Sequence, residues 1–222
     1  TTSIRTVSIW ELFLKRLLDI LGGIVGCIIT GILLLILAPM IYHESPGPIF
    51  FGQTRIGKNG KKFTCYKFRS MYLDAEERKA VLAAENRVSD GMMFKLDFDP
   101  RIIGSRRLPD GTIKKGLGNK IRDWSIDEFP QFWNVLKGEM SLVGTRPPTE
   151  DEWVKYKLHH RSRLAIKPGI TGMWQVSGRS DITDFQKIVK LDGEYIDNWS
   201  FWLDIKILLK TFLEVFTQKG AR

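Results

Sequence analysis

From Ile20 to Tyr42 the chain carries no charged residue. As a straight helix this run would measure about 34 Å, enough to enter or cross a hydrocarbon core about 30 Å thick. A secretory signal peptide would have a shorter apolar stretch and a small-x-small cleavage site, and neither is present. A buried core helix fits the run less well still. Ahead of it, residues 1–19 mix Arg5, Lys15 and Arg16 with Ile9, Trp10, Leu12, Phe13, Leu17 and Leu18, the composition of a helix meeting a membrane interface.

The flanks bear on whether the segment crosses. Arg5, Lys15 and Arg16 precede it and Arg55, Lys58, Lys61 and Lys62 follow it, whereas a single crossing normally carries its basic residues on one side. Thr30-Gly31 and Pro39 are places where a helix can bend, and the Thr30 hydroxyl is a candidate partner for backbone groups freed there. A re-entrant hairpin with both ends in the cytoplasm fits these residues better than a span, which stays the alternative.

Beyond the run, Ser45-Pro46-Gly47-Pro48 ends the apolar stretch, and Ile49-Phe50-Phe51 pairs with residues 63–68 across a turn at Asn59-Gly60. Lys67 and Arg69 at the strand end read equally well as a solvated edge. Residues 71–86 read as a polar helix, and 87–120 as irregular loop with room for a short hairpin at Pro109-Asp110-Gly111. A helix over 149–164 places the adjacent His159 and His160 on the surface. Lys167 to Arg179 combines turn glycines, a strand-like core and a closing Ser-Gly-Arg. A last helix, Ser200 to Thr217, has Phe201, Trp202, Ile205, Leu208, Leu209, Phe212 and Phe216 on an apolar face able to pack on the domain or lie in the interface.

The chemistry concentrates between Arg122 and Lys137. Ser125 and Glu128 have capping-box spacing, and Phe129, Phe132, Trp133 and Leu136 recur at helical intervals until Gly138. Asp127 and Glu128 would then project from a helix N-terminus, with Arg122 one turn upstream and Arg146 brought back by the Gly144 to Pro148 turn. For the acids alone, capping and dipole complementation is the plainer reading. Acids flanked by arginines also suit a phosphate together with a divalent cation. A net charge of +9 over 222 residues asks for an anionic partner without choosing it. No groove-reading or base-stacking module points to nucleic acid. Cys27 and Cys65 give neither a disulfide framework nor zinc spacing, which fits a reducing compartment.

The ordered motifs carry a resemblance over nearly the whole chain. Lys15-Arg16-Leu17-Leu18-Asp19, Ser45-Pro46-Gly47-Pro48, Tyr66-Lys67-Phe68-Arg69-Ser70-Met71, Ser125-Ile126-Asp127-Glu128 to Gly138, Val143-Gly144-Thr145-Arg146-Pro147 and Lys167 to Arg179 resemble the bacterial sugar transferases called monotopic phosphoglycosyl transferases. Within them the chain looks closest to the undecaprenyl-phosphate glucose or galactose phosphotransferases of capsule and exopolysaccharide synthesis. The resemblance implies that Asp127 attacks the β-phosphorus of a UDP-sugar and that undecaprenyl phosphate takes the sugar phosphate from it. It also implies Mg²⁺ held by Asp127 and Glu128, and Lys67, Arg69, Arg122, Arg146, Arg179 and Asp192 around the substrate.

The chain is therefore expected to be α+β. An interfacial and re-entrant membrane helix hairpin over 1–48 precedes, over 49–222, a small cytoplasmic α/β domain with short β-hairpins and interfacial amphipathic helices. It is expected at the cytoplasmic face of a bacterial membrane, with a homo-oligomer left open. Two departures from the family pattern stand out. The Ser-Pro that breaks the family's membrane helix falls here on Gly31-Ile32, and the segment from Asp99 to Ser125 is longer than the common form. Some relatives carry extra N-terminal transmembrane helices, and this chain could be the catalytic part of such a protein.

Overall fold

The computed structural model describes residues 7–82, 96, 98–178 and 184–217. Its longest element is α1, Ile9–Glu44, which starts at a capping box in which Ser8 and Glu11 satisfy each other's amides. The expected hairpin is not confirmed. Residues 9–44 are one helix through Thr30-Gly31 and through Pro39. The Thr30 hydroxyl shares its proton between Gly26 O at 2.7 Å, the back-bond to the i−4 carbonyl that often accompanies a slight bend, and Phe129 O at 3.1 Å.

One face of α1 meets the rest of the protein along most of its length. Lys15 donates to Val143 O and to Asp204, Arg16 to Val135 O and Leu136 O, and Asp19 accepts from Ser141 Oγ and Leu142 N. Farther along, a Cβ on Gly22 would come within 2.6 Å of Leu142, on Gly23 within 2.7 Å of Leu136, and on Gly26 within 2.1 Å of the Phe132 ring. Small residues here let the helices approach closely. Leu37 and Ile41 then join Phe68, Ile103 and Ile121 in one apolar cluster. Lys15, Asp19, Gly22, Gly26, Thr30, Leu37 and Ile41 recur at helical spacing, so this is a single stripe. Residues from both sides of position 48 contribute to that apolar cluster.

After the turn at Ser45 to Pro48 come β1 (Phe50–Ile56) and β2 (Lys62–Phe68), antiparallel, with Gln53 opposite Cys65 and Phe51 opposite Lys67. Asn59 in the turn has φ of 56°, as the Asn-Gly pair suggested. The polar helix α2, Ala75–Val81, starts later than the expected 71, and residues 83–86 of that expectation lie outside the described residues. A two-residue hairpin, β3 (Arg106–Arg107) with β4 (Ile113–Lys114), fills part of the long 99–125 segment. It is followed by α3 (Leu117–Asp123) and α4 (Gln131–Lys137), then β5 (Ser141–Val143).

The expected helix over 149–164 is instead α5 (Glu150–Val154), α6 (Leu158–Arg161) and a 3-10 turn at Ser162–Leu164. β6 (Gly169–Thr171) pairs parallel with β5, and α7 (Phe185–Asp197) and α8 (Phe201–Thr217) close the fold. Val135, Met140, Leu142, Val143, Val176, Tyr195 and Ile207 form the main core. Opposite it the outward faces of two helices stay apolar. Trp10, Phe13, Leu21, Ile28 and Leu35 of α1 and Trp202, Leu209, Phe212 and Leu213 of α8 are all exposed. α1 is long and apolar enough to cross a membrane by length and composition.

Candidate active site

The two acids are held on a 3-10 turn, Ile126–Glu128, and α4 proper begins only at Gln131. Ser125 does not cap it. Its φ of 54° lies in the left-handed region and its side chain makes no cap bond, so the capping-box reading fails. Pro130 gives the reason: without an N–H it cannot donate back into an α-turn, and the chain tightens through Phe129 N to Ile126 O instead. Freed from capping, the Glu128 carboxylate turns toward β2. Lys67 Nζ donates to Glu128 Oε1 at 2.9 Å and lies 3.8 Å from Asp127 Oδ2. Asp127 is buried, while Glu128 and Lys67 are half-buried.

Asn134 of α4, fully buried, fixes this geometry. Its amide donates to Thr64 O and Glu139 Oε2, both at 2.7 Å, and its carbonyl accepts from Tyr66 N, so the helix carrying the acids is pinned to the strand carrying Lys67. Arg16 ends the same helix by donating to its last carbonyls, where a cation complements the dipole. The Thr30 bond to Phe129 O ties the turn itself to α1. Asn134 falls inside the Ser125 to Gly138 motif but outside the apolar periodicity, and sequence reasoning assigned it no role because its partners are distant in the chain.

The turn after β5 brings a second set of charges. Arg146 forms a paired interaction with Glu152, at 3.0 and 3.2 Å, and Arg55 of β1 donates to Gln53 Oε1 twice and to Pro147 O. Burial pushes the Glu152 carboxyl up, but the Arg146 guanidinium, with Arg55 and the Thr149 amide, outweighs it and holds the carboxyl below its usual range. Burial works against the Arg146 charge as well, and Glu152 more than offsets it, with a smaller contribution from Glu128. Glu128 also favours the charged form of Arg55, so Lys67, Glu128, Arg146 and Arg55 belong to one electrostatic neighbourhood. Cys65, buried between them, feels all four.

Other expected residues lie elsewhere. Arg69 is buried with its guanidinium on the Ser45 hydroxyl and carbonyl, where it fastens the exit of α1. Arg122, on α3, is exposed and makes no ion pair with either acid. Asp192 of α7 is sealed against Arg163 at 2.6 Å, with Tyr156 as the guanidinium's other partner at 2.7 Å. Arg179 lies outside the described residues. His159 is exposed as expected, but His160 is buried. Its ring accepts from Lys157 N and packs edge-on to Tyr156 and Phe185, because α6 is too short to turn it outward. Among the described residues no cluster of three or more histidine, cysteine or acidic groups forms a metal cage.

A carboxylate pair on a turn, clamped by lysine and bordered by arginines under a β-hairpin, is an arrangement able to hold an anion, in an α+β protein with a helix apolar enough to enter a membrane. The sequence of residues 10–218 matches the family model described as bacterial sugar transferase, and the chain belongs to that family. It is 50% identical, over its whole length, to the galactosyl transferase CpsE of Streptococcus agalactiae serotype III, covering 46% of that protein. It is 42% identical to the undecaprenyl-phosphate galactose phosphotransferase of Salmonella typhimurium, over 94% of this chain and 42% of that protein. With the exopolysaccharide production protein ExoY of Rhizobium meliloti it shares 35% identity over 93% of the chain and 87% of the relative. The chain thus spans less than half the length of the first two relatives.

Proposed function

We propose that this chain is the catalytic part of a phosphoglycosyl transferase that moves a hexose 1-phosphate, glucose or galactose, from a UDP-sugar to undecaprenyl phosphate. The observation that carries the proposal is the Asp127–Glu128 turn facing Lys67, in a chain half identical to a galactosyl transferase. Asp127 Oδ attacks the β-phosphorus, the bond from that phosphorus to the bridging oxygen breaks, and UMP leaves with the electron pair. A phosphate oxygen of undecaprenyl phosphate then attacks the same phosphorus and returns Asp127 to its carboxylate. A carboxylate suits this role where developing phosphate charge is neutralised, which Lys67 and Arg146 do, with Arg122 and Arg179 expected to join them.

Adjacent hard-oxygen donors, Asp127 and Glu128, fit the way Mg²⁺ is bound through one or two carboxylates plus substrate phosphates. The ion, when bound there, supplies charge neutralisation at the transferring phosphoryl group. Lys67 holds Glu128 in place, and the burial of Asp127 limits water at the attacking oxygen.

The test is the half-reaction. Enzyme given only UDP-sugar and Mg²⁺ should release UMP in an amount set by enzyme, gain the mass of one hexose phosphate, and lose it when undecaprenyl phosphate is added. Intersecting double-reciprocal lines, with no adduct in rapidly quenched enzyme, would instead indicate direct transfer in a ternary complex.

We further propose that the chain works at the cytoplasmic face of the membrane, with α1 entering from that side and not crossing. Contacts with the domain extend from Lys15 to Ile41, about 39 Å of helix, so a crossing would carry polar parts of the domain through a core about 30 Å thick. Single cysteines at Val7 and Lys58 should both be labelled only from the cytoplasmic side. Labelling of Val7 from outside would restore the span.

A further inference from the structure

On β1 and β2 the side chains of Gln53, Arg55, Phe63, Cys65 and Lys67 share one face, because directly paired residues and those two apart point the same way. That face is turned inward, since Phe63 and Cys65 on it are buried in the main core. Its two cations are treated differently. Lys67, at one end, meets Glu128 and Asp127. Arg55, four residues along the paired strands and hence about 13 Å away, meets only neutral acceptors.

Three of the five Arg55 N–H donors are used, two on the Gln53 carbonyl and one on Pro147 O, which leaves two. Beside it stands Arg146, two of whose five N–H donors go to Glu152. Among the described residues Glu152 is the carboxylate bonded to this pair, through Arg146; burial, and after it the neighbouring Arg146, disfavour the charged form of Arg55, while Glu152 and Glu128 favour it. An inward-facing cation beside a second cation is costly unless an anion completes the site. Arg69 offers a contrast: it too has neutral partners, but it is sealed under Ser45 with no second cation and no acid pair near it.

We infer that Arg55, braced by Gln53 and set beside Arg146, is the receptor for the nucleotide phosphate of the donor, the one that departs as UMP. Lys67 and the acids take the sugar-linked phosphate at the other end of the same hairpin face. This assignment rests on the transfer reaction proposed above. It gives the hairpin a division of labour: attack at the Lys67 end, leaving-group charge at the Arg55 end. Arg55 also bonds the backbone of the turn that carries Arg146, so binding of the nucleotide phosphate draws on both guanidiniums together.

The test uses the full chain in detergent or nanodiscs and measures UMP and uridine affinity with the unfolding temperature. Arg55→Gln should weaken UMP by about tenfold or more while uridine binding holds, since a charge-assisted phosphate contact is lost. Gln53→Glu is the sharper variant, because a carboxylate at the position that already accepts two Arg55 bonds supplies the missing counter-charge. It should keep or raise the unfolding temperature and still weaken UMP by a similar factor. UMP affinity unchanged in both variants, or UMP and uridine weakened in parallel with a lowered unfolding temperature, overturns the assignment. If the wild-type chain binds neither UMP nor UDP, the transfer reaction itself fails and not only the role of Arg55.

Discussion

Two arginine–carboxylate regions lie close together in this protein, and they are built on opposite plans. Arg163 and Asp192 are each about 1% exposed, pair at 2.6 Å, and are enclosed by Tyr156, Phe185 and the Arg146 carbonyl. The region of Lys67, Asp127, Glu128, Arg55, Arg146 and Glu152 is partly open, and its cations are not matched one to one by contacts. In the first, each charge exists for the other, and the pair ties α7 to the turn before β6. In the second, charges are held in place by neutral braces such as Asn134, Gln53 and Thr30 and keep capacity for a ligand. The pair sealed from water reads as scaffold, and the braced, partly open cluster as the candidate site.

The comparison breaks first if the acids prove dispensable. Asp127→Asn should lower sugar-phosphate transfer by at least about a thousandfold with the unfolding temperature unchanged, and Glu128→Gln by about a hundredfold, measured as UMP release. Turnover near wild type in Asp127→Asn would remove the nucleophile. If both variants unfold instead, the acids belong with the scaffold.

The sealed pair should show the reverse pattern. Arg163→Met leaves Asp192 buried without its counter-charge and should cost about 3–5 kcal/mol of stability, while Arg163→Met with Asp192→Leu should recover part of it. Denaturant unfolding of the single and double variants reads this directly. Activity per folded molecule should fall far less than in Asp127→Asn. A loss of turnover without loss of stability would move Asp192 back among the substrate ligands that the family resemblance implied.

The smallest effect separates the two halves of the open cluster. Glu152→Gln removes the carboxylate shared by Arg146 and Arg55 and should cost about 1–3 kcal/mol at neutral pH. The folded-state pKa of Glu152 lies below its ordinary value, so its contribution is present above the unfolded value of about 4.3 and is lost as pH falls through the folded one. Wild type and Glu152→Gln should therefore converge in unfolding temperature as the medium is acidified below that value. A constant gap across the acid range would show that packing, not ionisation, holds Arg146.

What the sequence determined by itself was local or repetitive. The apolar run fixed α1 as membrane-associated, the Asn59-Gly60 turn fixed the β1–β2 hairpin, and the aromatic and leucine spacing fixed α8. Adjacent acids bordered by basic residues marked the candidate site, and ordered motifs marked the family. What only the tertiary structure decided came from contacts between distant residues. Lys67 meets Glu128 across a separation of 61 residues, and Asn134 reaches Thr64 across 70. No pattern within a window of one helix or strand encodes such pairs. The same cause overturned local readings. Capping by Ser125 gave way to a lysine on another element. His160 was drawn inside by Tyr156 and Phe185. Local propensity is worth about 1 kcal/mol per residue, and burial of a side chain or pairing of a charge outweighs it wherever the chain returns to the same place.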